Sequence, residues 1–168
     1  AILGPNGSGK SSIVDLINRN IYPLEQRNAS LKIFNKELIN IWELRKKIST
    51  VNNEVKIRIN NKSTVFDLII SGLYGSYSKV EKYTEKDIQK VNNLVDKMNL
   101  NNISNKPFGF LSDGEKQISL IARSLINAPE ILILDEPAIN LDLKSKFFLI
   151  DKIQSLLNLD ISLLCITH

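Results

Sequence analysis

The sequence predicts an α/β fold, a mostly parallel sheet flanked by helices, and three stretches carry that prediction. Residues 4–11 read Gly-Pro-Asn-Gly-Ser-Gly-Lys-Ser and fit the pattern G-x-x-x-x-G-K-[ST] without a mismatch. Residues 131–134 are a continuous apolar run that ends in Asp135-Glu136-Pro137, the composition of a strand buried on both faces. A further largely apolar run, 161–166, leads to His168. Together they define a P-loop NTPase core. Residues 53–110 are patterned differently from the stretches before and after them.

The elements follow in order. Ala1-Ile2-Leu3 reads as the end of a buried strand, and residues 11–18 as a helix with Ile13, Val14, Leu16 and Ile17 available for burial. Leu31 to Phe34 alternates as a short strand would, Glu37 to Lys47 has helical spacing, and Ile48 to Val51 reads as a core strand. Tyr22-Pro23 marks a loop. Thr64 to Leu73 is a helix candidate interrupted by Gly72, Gly75 and serines. Asp87 to Leu100 is a clearer one, with Ile88, Val91, Leu94, Val95 and Met98 on one stripe. Ser112 is suited to cap a helix beginning near Gly114. Lys144 to Leu157 predicts another helix, with Phe148, Ile150 and Ile153 as burial candidates.

A strand, a glycine loop and a helix start form an anion site. Gly4, Gly7 and Gly9 permit backbone angles that a side chain forbids, so loop N–H groups can converge on phosphate oxygens. The helix N-terminus adds favourable partial charge. The expected nucleotide-binding set is Gly4, Pro5, Asn6, Gly7, Ser8, Gly9, Lys10, Ser11 and Ser12. Lys10 is suited to the β- and γ-phosphates and Ser11 to Mg²⁺. Ligands of open α/β sheets bind at the carboxyl ends of strands. Asp135 therefore stands where a Mg²⁺-associated carboxylate belongs, and Glu136 where a base can polarise water. Taken alone, an acidic turn after a core strand is an ordinary feature; in one chain with residues 4–11 it is not.

These residues resemble the nucleotide-binding domain of the ATP-binding cassette (ABC) superfamily, and bacterial ABC transporter ATP-binding proteins in particular. Leu111-Ser112-Asp113-Gly114-Glu115 is similar to that family's signature, usually Leu-Ser-Gly-Gly-Gln. Gln117 to Leu125, with Ala122-Arg123, resembles the helix that follows it. Ile139 to Asp142 resembles the D-loop, and His168 the switch histidine. The resemblance implies ATP and Mg²⁺ as ligands and a sandwich of two cassettes, either a homodimer or a paired ABC domain. Ser112 and Gly114, with Asp142 nearby, would then serve the opposite site, while Glu136 and His168 serve catalysis. It also implies transmembrane permease subunits as partners and a cytoplasmic location, peripheral on the inner face of the cell membrane. The resemblance further implies an ATPase core in 1–52 and 111–168 with an inserted helical subdomain in 53–110 that touches those partners, and Tyr74, Tyr77 and Tyr83 are candidates for that surface.

The sequence departs from the family pattern at Asp113, Glu115 and Ala138. At the position of the family's Mg²⁺-associated glutamine it offers Asn53, or Lys56 in another register. Residues 42–48, 64–75 and 107–109 are similar to metal-chelate and molybdate-related transporter ATPases, which names no substrate. The competing reading is a soluble ABC protein acting on ribosomes or nucleic acid. The interval between phosphate loop and signature carries neither sustained heptads nor a cysteine cluster, which argues against chromosome-structural and repair cassettes.

Composition sets the outer bounds. With 168 residues the chain suffices for one packed domain. By resemblance it begins inside a core strand and stops at the switch histidine, so it is expected to be incomplete at both ends. A net charge of +4 suits an anionic nucleotide without demanding nucleic acid, and no direct nucleic-acid contact is expected. Arg45-Lys46-Lys47 reads as a solvated helix face. Cys165 is the single cysteine, so no disulfide forms within the chain and a small core residue is expected there. No apolar run approaches the about 20 residues that span a bilayer.

Overall fold

The apolar run at 131–134 becomes an inner strand of a four-stranded sheet. The computed structural model describes residues 1–5, 7–24, 30–77, 80–139, 141–156 and 161–167, and of Asn53, Glu54 and Ser155 the backbone alone. Strands β1 (Ile2–Leu3), β2 (Ile48–Val51), β3 (Ile131–Asp135) and β4 (Ser162–Thr167) pair in parallel in the order β1-β4-β3-β2. Parallel pairing requires crossovers on both faces, and the chain supplies helices for them. Alternation along β3 shows the consequence. Leu132 and Leu134 enter one apolar cluster with Leu68, Ile118 and Leu149, while Ile133 enters another with Val14, Leu44 and Ile166. All three β3 side chains are fully buried, each worth about 1.5–3 kcal/mol by area.

The helices are α1 (Lys10–Ile17), α2 (Ile41–Lys47), α3 (Asn53–Arg58), α4 (Val65–Leu73), α5 (Glu85–Lys97), α6 (Asp113–Leu125) and α7 (Leu143–Leu156). Three of them start on capping boxes: Thr64 with Asp67, Thr84 with Asp87, and Ser112 with Glu115. One apolar cluster runs from Val65, Val91 and Val95 through Ile118 and Leu120 to Leu132, so α4 and α5 share a core with α6 and β3.

Several expectations need correction. Leu31–Phe34 is no strand among the described residues; Ile33 and Lys36 form an isolated bridge around Phe34-Asn35, both at positive φ (51° and 62°). That is the geometry of a tight two-residue turn. The helix expected from Glu37 begins only at Ile41, because the Asn40 side chain accepts from Trp42 N and caps it there. Gly72 does not interrupt α4. It lies inside the helix, where a Cβ would fall 2.5 Å from the Arg123 carbonyl oxygen, so glycine lets α4 approach α6. The turn falls at Gly75 (φ 62°). In α7 the buried residues are Leu149 and Leu156, whereas Phe148 and Ile150 are exposed. Leu3 is exposed at the end of β1, and in α1 only Val14 of the four expected residues is buried. Cys165 is partly buried and free, and burial pushes its thiol pKa up.

Candidate nucleotide-binding site

Because all four strands run the same way, their carboxyl ends share one edge, and the start of the phosphate loop and the carboxylates of Asp135 and Glu136 belong to it. Residues 4 and 5 leave β1 at that edge, and residues 7–9 turn into α1. Gly7 (φ 81°) and Gly9 (φ 85°) occupy the left-handed region that L side chains avoid. At Gly4 a Cβ would lie 2.9 Å from Ser8 Oγ, so a side chain there would require the Ser8 hydroxyl to turn away. Helix α1 has no capping side chain and no acidic residue in its first turn. Its N-terminal N–H groups and dipole are left to an anion. Ser11 and Ser12 stand exposed in that first turn. Asn6 lies outside the described residues.

Lys10 does not extend outward. It is buried, and its Nζ donates to Gly4 O (2.6 Å) and Pro5 O (2.9 Å). The ammonium is folded beneath its own loop, bracing the loop through charge-assisted bonds.

The acidic edge comes from β3. Asp135 registers with Ile166, and Leu3 with Thr167, so the end of β4 lies between the phosphate loop's strand and the carboxylates. Position 168 follows directly, but His168 is outside the described residues. Asp135 Oδ1 is buried without a hydrogen-bond partner. Burial pushes the Asp135 pKa up, the charges of Glu136 and Asp15 add to the rise, and Lys10 opposes it. A buried carboxylate oxygen with no donor is costly unless something pairs with it. Among the described residues no three His, Cys, Asp or Glu side chains cluster as a metal cage. A lone carboxylate and a serine hydroxyl suit Mg²⁺, which keeps several waters and takes its other ligands from phosphate. Asp135 and Ser11 fit that role.

Glu136 follows in a strained conformation, φ 52°, its backbone N–H donating to Ile166 O at 3.0 Å. A non-glycine residue held there costs about 1–3 kcal/mol, and such residues cluster where function fixes a side chain's direction.

The signature segment is built on α6. Ser112 caps the helix, accepting from Glu115 N (3.3 Å) and donating from Oγ to Glu115 Oε2 (2.8 Å). Gly114 is buried against α7, where a Cβ would sit 3.2 Å from Ser145 Cβ. Asp142 caps α7, its Oδ1 accepting from Ser145 N at 2.9 Å. No hydrogen bond or ion pair among the described residues joins Ser112, Gly114 or Asp142 to residues 4–12. The two groups occur in one chain without meeting. Asn53 opens α3 just after β2, at the same sheet edge as Asp135, and its side chain is not described.

Sequence reasoning missed three pairings: Asp15 with Asp135, through its charge; Lys56 with Asp113; and Arg123, partly buried, with Tyr77. Each pairing joins residues far apart in sequence, which no local pattern announces.

A cavity of about 800 Å³ lies away from the phosphate loop, between α2, β2 and α4. Its cations are Arg45, Lys46, Arg58 and Arg123, and no carboxylate lines it among the described residues.

Comparison with known proteins places this geometry. The family model described as ABC transporter matches residues 1–139, so the chain belongs to that family. Among relatives, an uncharacterized ABC transporter ATP-binding protein of Lactococcus lactis, YmeB, is 35% identical over 92% of this chain and 60% of its own length. A second uncharacterized ABC transporter ATP-binding protein, MJ0089 of Methanocaldococcus jannaschii, is 35% identical over 87% of this chain and 55% of its own. The structure of cbiO1 from Clostridium perfringens, part of the ABC transporter complex cbiONQ, superposes with a TM-score of 0.76 at 26% identity, covering 99% of this chain and 65% of that one. The chain thus spans less than two thirds of the length of these relatives. The P-loop NTPase α/β fold is that of ABC ATPase domains.

Proposed function

We propose that the protein containing this chain binds and hydrolyses ATP as the energy-supplying subunit of an ABC transporter. The observation that carries the reading is the buried, unpartnered Oδ1 of Asp135 at the sheet edge it shares with the phosphate loop. Residues 1–52 and 111–168 act as the ATPase core and 53–110 as the helical subdomain. Gly4, Pro5, Asn6, Gly7, Ser8 and Gly9 surround the phosphates with backbone N–H groups. Lys10 turns from the Gly4 and Pro5 carbonyls to the β- and γ-phosphates, and Ser12 completes the first helical turn. Ser11 and Asp135, with Asn53, hold Mg²⁺. When bound, that ion neutralises phosphate charge. Glu136 orients the attacking water and accepts its proton, and His168 keeps water and γ-phosphate aligned.

Ser112 and Gly114, with Asp142 nearby, lie apart from their own loop, which supports a sandwich in which they face the nucleotide of a second cassette. Permease subunits are the partners, so the protein works at the cytoplasmic face of a membrane. No described helix is long and apolar enough to cross a membrane. The basic cavity beside α2 and α4, rimmed by exposed Trp42 and Tyr74, is the face offered to them.

The test is to recover the full-length protein from detergent-solubilised source membranes and assay ATP turnover of what co-purifies. A multi-spanning partner that stimulates turnover is the expected result, with Glu136→Gln slowing it by about 10²–10⁴-fold, the usual worth of a general base. Ribosomes or nucleic acid in place of that partner overturn the transporter assignment.

A further inference from the structure

Asp113 puts a carboxylate in the signature where the family pattern has glycine, beside residues proposed to meet an anionic nucleotide. Taken alone, that charge opposes the interaction. The structure supplies its counter-charge from another element: Lys56 Nζ of α3 lies 3.0 Å from Asp113 Oδ1. Lys116 stands further off at 3.9 Å from the same oxygen. A second contact ties the same two helices. Tyr77 receives the Arg58 guanidinium of α3 at 5.5 Å from its ring centroid and that of Arg123 of α6 at 4.5 Å. Arg123 is fixed in turn, donating to Ser76 O at 2.8 Å. Helix α3 starts at the sheet edge that carries Asp135, and α6 starts at the signature.

We propose that Lys56 is a positioning residue that makes the acidic signature workable: it cancels the Asp113 charge and couples the segment after β2 to the start of α6. The inference rests on the sandwich reading. Both side chains are substantially exposed, so the pair adds little to fold stability. Its effect belongs to the approach of a second cassette's phosphates, which meets either the paired carboxylate or one left with the more distant Lys116 alone. A symmetric sandwich contains the pair twice, so loss of Lys56 counts at both sites.

The test measures ATP-dependent dimerisation by sedimentation, using the full-length protein with Glu136→Gln to prevent turnover. Lys56→Met is expected to weaken the ATP-bound dimer by about tenfold, while monomer ATP affinity and Tm stay near those of the parent. Adding Asp113→Gly to Lys56→Met restores dimerisation, and Lys56→Arg retains it. If Lys56→Met dimerises like the parent, or if Asp113→Gly fails to rescue it, the charge-cancelling role is overturned. A parent that forms no ATP-dependent dimer overturns the sandwich reading itself, and this inference with it.

Discussion

Glu115 Oε2 accepts two hydrogen bonds from Ser112, one from its backbone N–H and one from its Oγ, both at 2.8 Å. The carboxylate therefore occupies the start of α6 and engages the very hydroxyl that the sandwich reading assigns to phosphate. Burial raises the Glu115 pKa, but the Ser112 hydrogen bonds and the Lys106 charge outweigh it, so the net direction is down and the group is an anion at neutral pH. Glutamine at the third helical position closes a capping box as glutamate does. Glu115→Gln in the full-length protein is thus expected to keep the fold, losing only a few tenths of a kcal/mol of helix-dipole attraction. It removes a negative charge from the end of α6 proposed to face phosphate, and the ATP-bound dimer should tighten by about 3–10-fold, readable by sedimentation. An unchanged or weaker dimer would show that this charge does not oppose the nucleotide.

Asp135 presents the opposite balance. Its buried Oδ1 has no partner, and Glu136 and Asp15 add repulsion. Such a group costs stability in the absence of a cation and gains its use only with one, the trade found at functional sites. Asp135→Asn should raise the Tm of the nucleotide-free protein by a few degrees, corresponding to about 1 kcal/mol. The same substitution should abolish the further rise that Mg²⁺-ATP gives the parent. A drop in the nucleotide-free Tm would mean that the carboxylate is structurally paired, contrary to the geometry.

Acid should unfold this chain through its helix starts. Hydrogen bonds from Thr84 hold Asp87 below the usual carboxylate range, Lys56 does so for Asp113, and Ser145 for Asp142. A carboxyl depressed in the folded state binds fewer protons there than when unfolded. Its contribution is complete above the unfolded value of about 3.9 and is lost as pH falls through the lower folded value. Thermal melts should therefore be level near neutrality and decline below about pH 4. Asp87→Asn should make the decline shallower. Melts that stay level down to pH 3 would remove these caps from the account of stability.

What was legible in the sequence was local. The phosphate loop, the β3 run with its two carboxylates and the Ser112 cap all lie within a few residues, where angle, period and hydrogen bond are set by neighbours. Phase was lost where apolar residues crowd. Phe147, Phe148, Leu149 and Ile150 are consecutive, and only tertiary packing, in the core that α7 shares with α6, selects Leu149. Leu31–Phe34 alternates like a strand, but positive φ at Phe34 and Asn35 folds it back after one bridge. Gly72 reads as an interruption in sequence, because its reason is the Arg123 carbonyl on another helix. The Lys56–Asp113 pair spans 57 positions and belongs to tertiary structure alone.

Lys10 joins sequence and structure most directly. Sequence assigns it to phosphate, whereas the structure shows it bonded to Gly4 O and Pro5 O, its Nζ filling the space under the loop. These two descriptions predict separable losses. Lys10→Met keeps much of the buried stem but removes two charge-assisted donors from carbonyls inside the loop, a cost of about 1–2 kcal/mol in the nucleotide-free protein. It also removes the cation proposed for the β- and γ-phosphates, so ATP affinity should fall by at least about 100-fold, two charge-assisted bonds' worth. Calorimetric titration with Mg²⁺-ATP and melts without nucleotide measure the two losses separately. A stability loss with intact ATP affinity would confine Lys10 to bracing the loop and remove it from phosphate binding. A pure affinity loss would mean that the carbonyl contacts contribute nothing to holding the empty loop. Both losses together are the expected result, and they make the ammonium a shared group, holding the loop until phosphate draws it out.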